Sequence, residues 1–204
     1  MSKKITIIDY GMGNLYSVQN ALRSIGAEPV VTSDAAVIAQ AEKILLPGVG
    51  AFGDCMANLE KSGLIPVIMD SLHSGKPFLG ICLGMQLLFE GSDEAPGVKG
   101  LGFFKGQVRL LHTELKIPHM GWNKLELCSP SPLLEGAEGE YVYFVHSFHA
   151  EPEDRSIITS VCDYGMEVTA SVGCGKVQAF QFHPEKSSTV GLSILKNFAG
   201  IGEA

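Results

Sequence analysis

A chain of 204 residues, 46% hydrophobic and 18% charged, can bury one good core and is short for two, so a single domain spanning residues 1–204 is expected. Its formal net charge of −7 comes without any block of Lys and Arg. That excludes the electrostatic footprint of a nucleic-acid or anionic-membrane binder and leaves small molecules or another protein as partners. The amino-terminal stretch MSKKITIIDYGMGN enters a strand directly, without a long apolar region or a small-residue cleavage site. No apolar run of the ~18 residues that a spanning helix needs follows it, so a cytoplasmic protein is expected.

Taken in order, the first half alternates β-branched runs with helix-length segments, the pattern of βαβ units around a parallel sheet. ITIIDY predicts the first strand. Asn14 is placed to cap a helix whose apolar positions Leu15, Val18, Leu22 and Ile25 recur at helical spacing up to Gly26. EPVVTS predicts a second strand, Asp34 opens a short helix through Ala41, and KILLPG predicts a third strand. Between Phe52 and Ser74 the pattern gives two helical segments divided near Gly63 and Pro66. PFLGI predicts a fourth strand buried on both faces, and MQLLFE a helix after it. Beyond Gly91, the runs GQVRLLH, YVYFVHSFHA, SIITSV and KVQAFQFH lie between Gly, Pro and Asp turns, which predicts antiparallel or mixed strands beside the parallel sheet. TVGLSILKNFAG closes the chain as a helix ending at Gly200.

Five scattered cysteines, Cys55, Cys82, Cys128, Cys162 and Cys174, fit neither a disulfide framework nor C-x-x-C zinc spacing, so free thiols and no metal site are expected. Cys82 differs from the others in its setting, Gly80-Ile81-Cys82-Leu83-Gly84, where strand gives way to helix. A sharp turn of this kind needs small neighbours, and G-x-S-x-G hydrolases use the same layout to hold a nucleophile above a sheet. The amides and positive end of the following helix would favour a thiolate, and the Leu83 amide could face an oxyanion. A lone cysteine is more often a small core residue, so the reading depends on a base. His183 ends a strand-like run, Pro184 biases it toward extended backbone, and Glu185, two positions on, can share its face and steady the imidazole. An isolated His-Pro-Glu is commonly only a surface turn; with the elbow cysteine it reads as a Cys82, His183, Glu185 triad. Pro47-Gly48-Val49-Gly50 follows the third strand, at the end where open α/β sheets bind ligands, although an ordinary turn would look the same. Gly11-Met12-Gly13 lacks the third glycine and acidic partner of a dinucleotide site, so no nicotinamide cofactor is expected.

Together PGVGAF, GICLGMQLLFE and QFHPEKS resemble the signatures of the class I, triad-type glutamine amidotransferases. DYGMGN, MGWNKL, YFVHSFHA and the Lys after HPE narrow the resemblance to the glutaminase subunits of imidazole glycerol phosphate synthase, in histidine biosynthesis, across essentially the whole chain. The resemblance implies an open, mostly parallel twisted sheet of flavodoxin-like type flanked by helices, with antiparallel strands in the carboxyl-terminal half. It implies that Cys82 attacks the carboxamide of glutamine while His183 and Glu185 handle the proton, with no cofactor. The oxyanion would be met by Leu83 and by the loop at Val49 and Gly50. Gly48, Gln86, Glu94, Ser147 and Phe148 would hold the amino-acid end, although Gln86 and Glu94 read alone are ordinary polar residues.

The implied partner is a separate (β/α)₈-barrel cyclase that receives the ammonia, with Asn14, Tyr143 and Lys186 at the interface. Read without the resemblance, Lys186 is a solvated charge and Tyr143 a half-buried strand residue. The Gly-Val-Gly loop further suggests that the Val49 amide turns into place only when the liganded partner is bound. Other readings stay open on the triad alone: the glutaminase subunit of anthranilate or aminodeoxychorismate synthase, a stand-alone cysteine hydrolase, or a silent binding subunit.

Overall fold

The computed structural model describes residues 4–200; the first three residues of the expected amino-terminal run lie outside that range. The predicted βαβ alternation is present as β1 (Lys4–Ile8), α1 (Leu15–Ser24), β2 (Glu28–Thr32), α2 (Ala35–Ala39), β3 (Ile44–Gly48), α3 (Phe52–Ser62), α4 (Ile65–His73) and β4 (Phe78–Cys82). The Asn14 side chain caps α1 by accepting from the Ser17 amide at 3.3 Å, and Asp34 does the same for Ala36 at 2.8 Å. Gly63, in the left-handed region at φ 70°, ends α3, and Pro66 sits in the first turn of α4. These small signals divide one apolar stretch into two helices.

The helix predicted over MQLLFE is a correction. α5 covers only Leu83–Gln86. The carbonyls of residues 87–90 are taken instead by the amides of Leu101, Phe104, Gly102 and Gly100, from a segment that folds back beneath them. Tertiary hydrogen bonds therefore overrule good helix propensity.

The second half adds β5 (Gly106–Leu110), β6 (His119–Lys124), β7 (Glu126–Leu127), β8 (Tyr141–His146), β9 (Phe148–Pro152), β10 (Ile158–Asp163), β11 (Glu167–Cys174), β12 (Val177–Phe180) and α6 (Ser188–Ala199). YVYFVHSFHA, read as one run, divides at Ser147. β8 pairs antiparallel with β6, and β9 pairs antiparallel with β5.

The main sheet has eight strands in the order β2-β1-β3-β4-β12-β11-β10-β7. From β2 through β12 the neighbours are parallel, and from β12 to β7 they are antiparallel. The parallel part has the 2-1-3-4-5 flavodoxin-like order, with β12, recruited from the far end of the chain, in fifth place. That recruitment sets the chain's end beside the elbow: Phe180 pairs with Ile81 on one side of β4, and Gly48 pairs with Cys82 on the other. β3, β4 and β12 are buried at every position, as continuous apolar strands covered on both faces must be. Among the described residues no helix is long and apolar enough to cross a membrane.

Candidate active site

Cys82 ends β4 with φ 54° and ψ −112°, a conformation that costs a non-glycine residue on the order of 1–3 kcal/mol and survives only where packing enforces it. The enforcement is visible. A Cβ on Gly84 would lie 2.0 Å from the Leu46 carbonyl oxygen, and one on Gly80 would lie 2.8 Å from the Gly84 carbonyl oxygen. Only glycine allows the chain to fold this tightly against β3, so the flanking glycines create the elbow.

His183 is brought to the sulfur by its neighbours. Its amide donates to the Tyr143 carbonyl at 2.9 Å, and the Ser187 hydroxyl donates to the His183 carbonyl at 2.6 Å while accepting from the Tyr143 amide at 2.9 Å. The turn is thus tied to β8 at both ends. His183 Nδ1 donates to Glu185 Oε1 at 2.8 Å, with both side chains almost fully buried. The route to this contact is a correction, because Pro184–Lys186 form a 3₁₀ turn rather than an extended segment. Two residues apart in that turn still bring carboxylate and imidazole together.

The second nitrogen, Nε2, is buried without a hydrogen bond of good geometry, yet it lies close enough to interact with the Cys82 sulfur. Burial alone would lower the imidazole pKa; the Cys82 sulfur and the Glu185 carboxylate outweigh it and hold the group up at about 10. That is the balance expected of a group poised to carry the proton of a thiol.

A cavity of about 500 Å³ opens over these groups. Of the residues singled out from sequence, Asn14, Val49, Gly50, Cys82, Leu83, Gln86, Glu94, Ser147, Phe148, His183 and Lys186 line it. Gly48, Tyr143 and Glu185 do not. Gly48 packs beneath the elbow, where a Cβ would meet the Leu83 Cβ at 2.6 Å. Glu185 stands behind His183, and Tyr143 faces outward under the Lys186 ammonium, 5.9 Å from the ring centre.

The loop after β3 is pinned from behind. The Tyr10 hydroxyl donates to the Pro47 carbonyl at 2.9 Å, the Cys55 thiol donates to the Val49 carbonyl at 3.5 Å, and the Phe52 amide donates to Glu94 Oε2 at 2.7 Å. Burial pushes the Tyr10 phenol and the Cys55 thiol upward, so both remain protonated donors.

Several participants were not legible in the sequence. Gln181 reaches the Cys82 sulfur with Nε2 at 3.8 Å. Ser187 holds the His183 turn. His146 lines the cavity, donates from Nδ1 to the Phe148 carbonyl at 2.8 Å, and meets His119 Nδ1 through Nε2 at 3.0 Å. Gln181 and His146 appear only as polar residues within apolar runs, which marks a buried hydrogen-bonded group without naming its partner, and Ser187, in a polar turn, carries no signal at all. Among the described residues no group of three or more His, Cys, Asp and Glu side chains converges as a metal site would require.

The family model for glutamine amidotransferase class-I matches residues 6–200. The imidazole glycerol phosphate synthase subunit HisH of Methanothermobacter thermautotrophicus is 51% identical over 197 residues, covering 97% of this chain and 98% of that protein. The same subunit of Aquifex aeolicus is 52% identical over 197 residues, covering 96% and 95%. In fold, the chain is similar to a crystal structure of a glutamine amidotransferase (TM-score 0.76, 18% identity, 96% and 98% covered) and to PurLQS from Thermotoga maritima (TM-score 0.76, 21% identity, 98% and 99% covered). With an elbow cysteine facing a carboxylate-supported histidine across one cavity, and with identity of this extent, the chain belongs to the class-I glutamine amidotransferase family and, within it, to the HisH subunits of imidazole glycerol phosphate synthase.

Proposed function

We propose that this chain is the glutaminase subunit of a cytoplasmic imidazole glycerol phosphate synthase, acting as one domain on glutamine and passing ammonia to a separate (β/α)₈-barrel cyclase. The cyclase would use that ammonia to form imidazole glycerol phosphate and aminoimidazole carboxamide ribotide in histidine biosynthesis. Identity near 50% to HisH proteins over almost the full length favours this synthase over those for anthranilate or aminodeoxychorismate.

The chemistry follows from the groups in place. His183 Nε2 takes the Cys82 proton, and the thiolate attacks the carboxamide carbon, forming a C–S bond while the carbonyl electrons move onto oxygen. Amides at Leu83 and at the Val49–Gly50 loop meet that oxyanion. Collapse breaks the C–N bond as the imidazolium returns its proton to nitrogen, so ammonia leaves and a γ-glutamyl thioester remains. His183 then activates water, and glutamate is released with the thiol restored. Glu185 keeps Nδ1 protonated throughout.

At the amino-acid end, Glu94 and the backbone of Ser147 and Phe148 stand ready. Gln86 uses Nε2 on the Phe148 carbonyl at 3.0 Å and on Gln181 Oε1 at 2.9 Å, which leaves its Oε1 for the ammonium group.

The partner face is the outward side of β6 and β8. Met120, Trp122 and Tyr141 are 61%, 52% and 56% exposed there, beside Tyr143 and Lys186 and next to the cavity mouth. Scattered exposed apolar residues are ordinary, but an aromatic cluster rimmed by a lysine at a catalytic opening suits docking. The observation that carries the proposal is the meeting of Cys82 and His183 in one cavity, with Glu185 bonded to His183 from behind. Cys82→Ala in the two-chain complex should abolish synthesis from glutamine and leave synthesis from ammonium salts intact; loss of both would make Cys82 a structural residue.

A further inference from the structure

Gln181 is 0% exposed; its chain neighbours Phe180 and Phe182 stack on each other at 4.8 Å, while its own side chain meets Gln86 and Cys82. A buried amide in such a place is costly unless its hydrogen bonds are specific. Its orientation follows by elimination. A carbonyl oxygen can only accept, so the Gln86 atom 3.0 Å from the Phe148 carbonyl must be Nε2. The same Nε2 donates to Gln181 at 2.9 Å, so the Gln181 atom facing it must be Oε1. The remaining group, Gln181 Nε2, is therefore the one directed at the Cys82 sulfur, 3.8 Å away. The His146 imidazole binds the same Phe148 carbonyl, so the whole chain of bonds is anchored in the cavity wall.

We propose that Gln181 is a further catalytic residue, whose side-chain amide donates a hydrogen bond to the Cys82 sulfur and stabilises it as a thiolate, with Gln86 fixing the direction of that donor. This rests on Cys82 being the nucleophile of a glutaminase. His183 accepts the thiol proton on one side and Gln181 supports the resulting charge on the other. The division of labour matters because α5, four residues long, supplies little helix dipole at its start. A role limited to filling the core would not require a donor aimed at sulfur, and methionine would serve it as well.

The test follows alkylation of Cys82 by iodoacetamide against pH in the full chain, reading the Cys82 peptide by mass spectrometry so that the exposed Cys128 and Cys174 do not contribute. The titratable groups coupled to Cys82 are His183 after β12, Tyr10 after β1 and Cys55 of α3, with Glu185 acting through His183; none of them is altered. Gln181→Met should move the alkylation midpoint upward by about one pH unit and lower glutamine-dependent kcat about ten-fold at similar KM, the size of one hydrogen bond to a charged group. Synthesis from ammonium salts in the complex should not change. Gln181→Glu, which keeps the acceptor for Gln86 but replaces the donor, should shift the midpoint at least as far, and it decides the matter if the methionine variant does not fold. Alkylation profiles that superimpose on the wild type in a folded variant overturn the proposal. The Cys82→Ala experiment judges the glutaminase reading separately, since alkylation of Cys82 needs no turnover.

Discussion

Gly84 shows how much of the site is decided by a single missing atom. Its hypothetical Cβ would sit 2.0 Å from the Leu46 carbonyl oxygen, and that backbone cannot retreat without pulling β3 away from β4. Gly84→Ala should therefore lower stability by about 3 kcal/mol or more, at the upper end of overpacking costs, read as a fall in the urea midpoint. Gly26→Ala is the matched control: nothing lies within 4 Å, and only its φ of +80° resists a side chain, so about 1 kcal/mol is expected. Equal effects from the two substitutions would contradict the close-packed elbow. At this scale the sequence was informative wherever chemistry and geometry coincide. Gly-x-Cys-x-Gly announces its own turn, and His-Pro-Glu its own pair. Gln181 and Ser187 were silent because any strand or turn can carry them, and their meaning comes only from partners distant in the chain.

The layer formed by β6 and β8 carries a polar core of unusual kind. His119 and His146 are buried against each other, and the His119 ring stacks on Tyr164 at 3.9 Å and on Phe144 at 4.7 Å. Burial lowers the two imidazoles to about 4 and about 3 respectively, with His149 and His183 adding repulsion at His146 while the Phe148 carbonyl opposes it. Both are neutral in the fold and would protonate near 6.5 in the unfolded chain. Stability is thus undiminished above pH ~6.5 and falls as pH drops toward 4, by up to about 1.4 kcal/mol per pH unit for each histidine. His183, raised to about 10, has the opposite sign: its contribution is complete below ~6.5 and fades as pH rises through 10. Urea midpoints measured at pH 7, 6 and 5 should decline progressively, and a flat series would mean that these histidines are not buried neutral. The elements themselves were readable in the first half, where Asn14, Asp34, Gly63 and Pro66 punctuate the helices. They were less readable in the second, where the split at Ser147 and the truncation of α5 depend on backbone partners that no local pattern specifies.

For the molecule as a whole, the decisive step is the return of the chain's last strand to the middle of the sheet. β12 lies against β4 and so converts a separation of a hundred residues into contact between Cys82 and His183. Alternating βαβ patterning predicted the parallel sheet. It could not place β12 in that order, because strand adjacency between distant segments leaves no periodic trace. On the outside, Trp122, Met120 and Tyr141 form the proposed docking face. Trp122→Ala should weaken binding of the cyclase by about 2 kcal/mol, roughly thirty-fold in Kd, with no change in the stability of this chain. Calorimetric titration showing unchanged affinity would move the interface elsewhere. The most direct test of the account is capture of the covalent intermediate: the complex is mixed with labelled glutamine, quenched in acid during turnover, digested and examined by mass spectrometry. A γ-glutamyl group should be found on the Cys82 peptide and be absent from the His183→Ala variant; turnover without that adduct, or with the label on another cysteine, would contradict it.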